Sequence, residues 1–314
     1  MTTLIVEPND YSPKAIAVYK KLGPVYFWPR LKGNKKSFVM KLSDILVVRL
    51  GYQIDRRWID KMPNLKIIAS NTTGLNHIDV DYAEKRGIKI ISLRGKTGFL
   101  KNITATAELA LGLVVALIRK IPWAFDDVKA GRWNRDAFKG DQLRGKTLGV
   151  LGYGRLGKRV ARYGKALGMK VIAHDPYVSG AKASLGRLFK ESDVLSIHVL
   201  LNEESKNLVK LKHFKTMKPT AYVVNTARGE IIEEGALFKA LTKKYIAGAA
   251  IDVMRDERAD GSHLKKDRLW GYAKKNNNLI IVPHIGGVAR EAWQATEEFV
   301  AELVFGHTNE FYAS

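Results

Sequence analysis

The chain contains no cysteine. Disulfide staples and cysteine-ligated zinc are therefore excluded, and a reducing compartment is compatible. Long hydrophobic runs are also missing. The longest, Leu109 to Ile118, lies between Glu108 and Arg119. It is too short to span a bilayer and reads as a buried helix, so no membrane partner is expected. The first residues, Met1-Thr-Thr-Leu-Ile-Val-Glu-Pro8, place no basic segment before an apolar one. They read as a first strand rather than a signal peptide, and a cytoplasmic location is expected. Acidic residues are scarce: 31 against 53 Lys plus Arg, a formal charge of +22. Such a charge attracts polyanions and steers small anions. The lysines are scattered in pairs, however, and no zinc finger, helix-turn-helix or ribonucleoprotein motif is present. A solvated basic surface is the reading preferred over specific nucleic-acid binding. Internal repeats and low-complexity tracts are absent.

What remains is a chain long enough, at 314 residues, for two domains. In the first hundred residues strands are expected at Leu4–Val6, Ile45–Arg49, Lys66–Ser70 and Ile88–Ser92. Helices are expected at Pro13–Leu22, Asp55–Lys61 and Asp79–Arg86. This alternation implies a parallel sheet covered on both faces. A basic loop, Arg94 to Asn102, precedes an apolar helix from about Thr104 to Arg119. Residues 121–138, with Trp123, Phe125, Trp133 and Phe138, read as an aromatic loop suited to a subunit contact. A second α/β unit follows, with strands at Thr147–Gly152, Lys170–His174, Val194–His198, Ala221–Asn225, Ala247–Asp252 and Leu279–Val282. An amphipathic helix, Val288 to Phe305, closes the chain and could return to the first domain.

The stretch most informative about chemistry starts at Lys146. A short apolar strand leads into Gly152, Gly154 and Gly157, a G-x-G-x-x-G loop. A helix follows from Arg155, then a second strand that ends at Asp175. Gly152 allows the tight turn, Gly154 a close approach of the backbone to a pyrophosphate, and Gly157 close packing of helix on strand. The helix N-terminus offers N–H groups to phosphates, and Asp175 can accept from ribose hydroxyls. Strand, glycines, helix and acid together point to a dinucleotide.

Ligands of open parallel sheets bind beyond the C-terminal strand ends. Those ends carry the glycine loop, Asp175, His198-Val199, Asn225-Thr-Ala-Arg-Gly229, Asp252 with Glu257, and Pro283-His-Ile-Gly-Gly287. The shared topology would bring Arg228, Glu257 and His284 to one edge, although spacing alone cannot.

With these motifs, and with Ser70-Asn-Thr-Thr-Gly-Leu-Asn-His-Ile-Asp79 and Thr106-Ala-Glu108, nearly the whole chain resembles the D-isomer-specific 2-hydroxyacid dehydrogenases. The resemblance implies two doubly wound α/β domains. One is a flavodoxin-like substrate domain (residues 1–100 with 288–314). The other is a Rossmann NAD-binding domain (101–287). It also implies a homodimer and reversible hydride transfer between NADH and a small 2-oxo acid, either phosphorylated (3-phosphoglycerate-like) or simple, with no metal. Arg228 would bind the substrate carboxylate and carbonyl, His284 would donate and accept the proton, and Glu257 would pair with His284. The Thr73-Gly74 backbone would hold the substrate carboxylate. The NAD-binding set would comprise Thr106, Gly152, Gly154, Arg155, Leu156, Gly157, Asp175, His198, Val199, Thr226, Ala227, Asp252 and Gly287. The residue types suit the chemistry: imidazole titrates near neutral pH, a carboxylate beside it stabilises the imidazolium, and guanidinium grips a carboxylate with two prongs.

There are departures from the family pattern. Leu200 stands where a proline is frequent two residues after His198, Met254 replaces the phenylalanine of Asp-Val-Phe, and Arg258 replaces the proline after the glutamate. Arg49 resembles the arginine that D-3-phosphoglycerate dehydrogenases place near the substrate phosphate. A second arginine of that subfamily would fall at Ser70. Since the sequence stops at Ser314, the regulatory domain of some phosphoglycerate dehydrogenases is not expected. The alternative function is an NAD(H)-sensing regulatory or co-repressor-like protein of the same fold.

Overall fold

The computed structural model describes residues 1–258 and 260–313, with side chains up to residue 309. The chain divides into two compact units, one of Met1–Ile103 with Ala289–Ser314 and one of Thr104–Val288.

The first unit holds five parallel strands: β1 (Thr3–Ile5), β2 (Val25–Phe27), β3 (Ile45–Val48), β4 (Ile67–Ser70) and β5 (Lys89–Ser92), in the order β2-β1-β3-β4-β5. This is the flavodoxin-like order, whose direction reverses between β1 and β3. Successive residues of the strands feed opposite faces. Leu4, Leu46 and Val48 join one core, and Ile5, Ile45 and Val47 join the other. Short all-buried runs of this kind are what a sheet covered on both sides requires. The closing helix, Arg290–Ala313, belongs to this unit and adds Val300, Ala301 and Val304 to the second core.

The second unit holds six parallel strands: β6 (Thr147–Leu151), β7 (Lys170–His174), β8 (Val194–Ile197), β9 (Tyr222–Asn225), β10 (Gly248–Ile251) and β11 (Leu279–Ile281), in the order β11-β10-β9-β8-β6-β7. The order reverses between β6 and β8, the switch point of a doubly wound sheet. The apolar helix spans Ala105–Ile118 and buries Ala107, Ala110, Leu113, Val114, Leu117 and Ile118, a spacing of three and four.

Three sequence expectations need correction. Residues 121–129 form a helix with Pro122 in its first turn, where a missing N–H costs nothing. Trp123 packs into its own unit's core, whereas Phe125 and Trp133 are exposed. Thr97–Leu100 within the basic loop is helical, and Phe99 stacks on Phe299 with ring centroids 3.9 Å apart. The strand β2 and a helix at Asn34–Leu42 were not foreseen: three residues carry too little alternation, and the helix starts behind Gly33 at φ +52° without a side-chain cap.

Candidate active site

At the end of β6 the chain turns through Gly152, whose φ is +88°. A Cβ there would lie 2.7–2.8 Å from the His198 carbonyl and the Val199 nitrogen. One on Gly157 would lie 2.0 Å from the Gly152 carbonyl oxygen. Side chains at these two positions would drive apart the loop, its helix (Arg155–Ala166) and β8. Gly154, the residue before that helix, has nothing within 4 Å of its Cβ position and leaves the helix N-terminus open. Burial lowers the pKa of Arg155 in the first turn, helped by the neighbouring charge of Arg159. A cation there suits an anion bound at the helix end.

Asp175 follows β7. Its carboxylate accepts from the Tyr153 N–H at 2.8 Å and the Tyr177 N–H at 2.9 Å. Each oxygen thus accepts one backbone N–H, and a carboxylate oxygen can accept a second bond. Two buried polar atoms near the switch point lack partners among the described residues: Thr226 Oγ and His198 Nδ1. The other His198 nitrogen meets Ser196 Oγ at 2.7 Å. Burial pushes the His198 pKa down to about 4, so the ring is neutral at physiological pH. An open glycine-lined helix end, an acid with spare acceptors and orphaned buried groups beside them fit a dinucleotide.

The reactive groups lie beyond β9, β10 and β11. Asn225 braces its loop by donating from Nδ2 to the Arg228 carbonyl at 2.9 Å and accepting from the Ala227 N–H at 3.0 Å. Gly229 then lets this loop touch the next one, since a Cβ would sit 2.3 Å from the Met254 carbonyl carbon. The contact brings Arg228 into the field of Glu257. Burial lowers the Arg228 pKa, against the opposing pull of Glu257, Glu230 and Asp252.

Glu257 Oε2 lies 2.6 Å from His284 Nδ1, and its Oε1 accepts from the Met254 N–H at 2.5 Å. Burial alone would raise the Glu257 pKa. The hydrogen bond and charge of His284, the Met254 N–H and Arg228 outweigh it, and the net shift is downward. His284 has a left-handed backbone, φ +52°, which is costly for a residue with a Cβ. Asp252 holds it there. The Asp252 carbonyl accepts from the His284 N–H at 2.9 Å, and its carboxylate accepts from Ile285 N–H at 2.6 Å and Gly286 N–H at 2.8 Å. Burial raises the Asp252 pKa against those two donors. A Cβ on Gly286 would meet Asp252 Oδ2 at 2.7 Å and Thr106 Cγ2 at 3.1 Å, so Thr106 and Asp252 flank one narrow space. The structural roles of Asn225, Gly229 and Gly286 were missed in the sequence. Their signal was the motif context, which marks where the chemistry sits but not which residue braces which.

In the first unit, Thr73 is exposed, and no acceptor meets the Thr73 or Gly74 N–H among the described residues. Thr72 Oγ donates to the Gly74 carbonyl at 2.8 Å and also meets Ser70 Oγ at 2.8 Å, which shapes this loop. Arg49 is placed differently from expectation. It is 8 % exposed, and its Nε and Nη2 bond the fully buried Glu297 while Nη1 donates to the Asn9 carbonyl at 3.0 Å. Its guanidinium also lies 4.1 Å from the Trp293 ring centroid. Three of its five N–H groups are thus committed within this unit, and at 8 % exposure the guanidinium presents little of itself to a substrate phosphate. The adjacent switch point is likewise self-filled, because Glu7 accepts from the N–H groups of Arg49 and Gly51 at 2.7 Å each. Of the departures, Leu200 is 66 % exposed and Met254 is buried in the core.

Residues 111–286 match the NAD-binding domain of the D-isomer specific 2-hydroxyacid dehydrogenases. The chain belongs to that family. It is 34 % identical over 300 residues to a D-3-phosphoglycerate dehydrogenase of Methanocaldococcus jannaschii, covering 92 % of this chain and 54 % of that one. It is 34 % identical over 305 residues to a glyoxylate reductase of Thermococcus litoralis, covering 91 % and 88 %. The chain thus spans about half the length of the phosphoglycerate enzyme and most of the reductase. Among solved structures, a D-lactate dehydrogenase of Aquifex aeolicus complexed with NAD and lactic acid is 27 % identical, with a TM-score of 0.81 over 99 % of this chain and 96 % of that one.

Proposed function

We propose that this family member is an NAD-dependent D-2-hydroxyacid dehydrogenase that interconverts a small 2-oxo acid and its D-hydroxy acid. The observation that carries the reading is the Glu257–His284 pair at 2.6 Å, set on the same sheet edge as the glycine loop and Arg228. NAD, when bound, supplies hydride exchange at its nicotinamide ring. The protein supplies the rest. His284 gives a proton to the carbonyl oxygen on reduction and takes it back on oxidation. Glu257, kept ionised, stabilises the imidazolium and fixes Nδ1 as its donor, leaving Nε2 for substrate. Arg228 grips carboxylate and carbonyl oxygen, and its partial desolvation strengthens that grip. The Thr73 and Gly74 N–H groups are proposed as further carboxylate donors. The glycine loop, Arg155 and Leu156 are proposed for the pyrophosphate. Asp175 is proposed for the adenosine ribose, where it would repel the 2′-phosphate of NADP. Val199, Thr226 and Ala227 are proposed to line the cofactor site with His198. Thr106, Asp252 and Gly287 are proposed for its nicotinamide end.

The commitment of Arg49 to Glu297, and the near-full coverage of a relative named glyoxylate reductase, favour an unphosphorylated substrate such as glyoxylate or hydroxypyruvate. No observation favours the nucleotide-sensing alternative. We also propose a homodimer built on the exposed stripe Ile121, Phe125 and Val128 with Trp133. Oxidation of NADH and NADPH, followed with a panel of 2-oxo acids, tests the function. Turnover with NADH preferred is expected, whereas tight NADH binding without turnover on any acid would refute it.

A further inference from the structure

From Tyr11 to Ser43 the chain carries eight basic residues and no acidic one, although acids make up 31 of its 314 residues. The proposed catalysis uses none of this segment. It builds the β2 edge of the first sheet, where the Asn34–Leu42 helix packs its Val39 and Met40 into the core. The opposite face of that helix is unusual. At about 100° per residue, Phe38 lies at the centre of the exposed arc, with Leu42 beside it and Lys35 and Lys41 on its two flanks. Phe38 is 63 % exposed and Leu42 is 39 % exposed. Arg30 and Lys32, both exposed, precede the helix on either side of the buried Leu31. Among the described residues, none of Arg30, Lys32, Lys35, Lys36 and Lys41 forms an ion pair.

We propose that this helix seats the protein on an anionic lipid surface, with Phe38 and Leu42 entering the headgroup–acyl boundary and the flanking cations pairing with lipid headgroups. Outward Phe and Leu side chains with lysines on their flanks are the groups by which a helix contacts a membrane interface. It requires no membrane-spanning length, which was the ground for expecting no membrane partner. Single-stranded nucleic acid is the rival polyanion, and it needs open aromatic faces. Here Lys36 covers Trp28 at 4.5 Å, Arg30 covers Phe27 at 4.7 Å, and Trp58 packs on Trp28 at 5.1 Å. Phe38 alone would remain for stacking, and Leu42 would have no role.

Flotation of the full chain with vesicles tests the assignment, using phosphatidylcholine alone or mixed in about equal parts with phosphatidylglycerol. Binding to the anionic vesicles only is expected, falling as salt rises. Lys35→Gln with Lys41→Gln should weaken it about 30-fold, from roughly 1 kcal/mol per lysine near the surface. Phe38→Ser with Leu42→Ser should leave a weaker binding that vanishes at high salt. All four positions are exposed, and circular dichroism checks that each variant is folded. Failure of the unaltered chain to bind anionic vesicles at low salt overturns the proposal. So does vesicle binding that neither pair of substitutions weakens, or oligonucleotide binding that outcompetes the vesicles and is insensitive to Phe38→Ser.

Discussion

The residues of the candidate site separate into those that would react and those that hold them. His284 belongs to the first group, and its replacement by alanine should lower kcat by about 10²–10⁴, the usual worth of a general acid–base. NADH affinity, measured by fluorescence titration, should change little. Glu257→Gln should shift the pH profile instead. The hydrogen bond and charge of His284 help hold Glu257 below the usual carboxylate range, and the amide cannot answer that charge, so the loss of reduction on the alkaline side should begin at lower pH. A profile that does not move would break the pairing. Arg49 belongs to neither group, being engaged with Glu297 and Asn9 within the first unit. Removing it strands the buried Glu297, and Arg49→Ala should cost about 3–5 kcal/mol of stability in denaturant unfolding. The sign with pH follows from Glu297, whose pKa burial raises against Ser12 and Arg49. Without Arg49 it rises further. A raised carboxyl loses stability as pH climbs through its folded pKa, so the gap to the unaltered protein should narrow on acidification.

At the scale of elements, loops approach closely because glycine stands where they touch. Gly229→Ala would place a Cβ 2.3 Å from the Met254 carbonyl carbon, a backbone atom that cannot step aside. It should separate the Arg228 loop from the Glu257 loop, lowering kcat/KM at least as much as typical loss of one catalytic group while NADH still binds. Equal kcat/KM would mean the loops do not need this contact. The helix at 121–129 presents Ile121, Phe125 and Val128 at 49, 63 and 51 % exposure. Phe125→Asp should convert a dimer into monomers in light scattering, and a monomeric unaltered protein at micromolar concentration would count against the proposed stripe. This helix also shows where the sequence was hard to read. Strands rich in Val and Ile and motifs rich in glycine were legible, because each has a local cause. Helix 121–129 begins with Ile-Pro and keeps aromatics on both faces, so its periodicity was obscured. The short β2 depends on the paired neighbour β1 rather than on its own three residues. The pairing of Arg49 with Glu297 spans 248 positions, and nothing local signals which acid an arginine will meet.

For the whole molecule, the open matter is how a charge of +22 bears on substrate choice. Two effects can favour a phosphorylated 2-oxo acid, and salt separates them. Long-range steering raises the encounter rate of a more highly charged anion and is screened beyond about 8–10 Å at moderate ionic strength. A built phosphate site makes short, partly desolvated contacts, and these survive added salt far better. In the structure Arg49 is engaged with Glu297, Glu7 fills the neighbouring switch point, and Ser70 stands where a further arginine would fall. Arg94 and Lys96 remain, both exposed. Steering without a site is therefore expected. At low salt, kcat/KM for 3-phosphohydroxypyruvate should equal or exceed that for hydroxypyruvate. The phosphorylated acid should fall more steeply as salt is added, and at high salt hydroxypyruvate should be used at least as well. An advantage for the phosphorylated acid that persists at high salt would show a phosphate site after all. Because Arg49→Ala is expected to act on stability, the comparison is best made with Arg94→Gln and Lys96→Gln, which should flatten the salt dependence and leave the high-salt ratio unchanged.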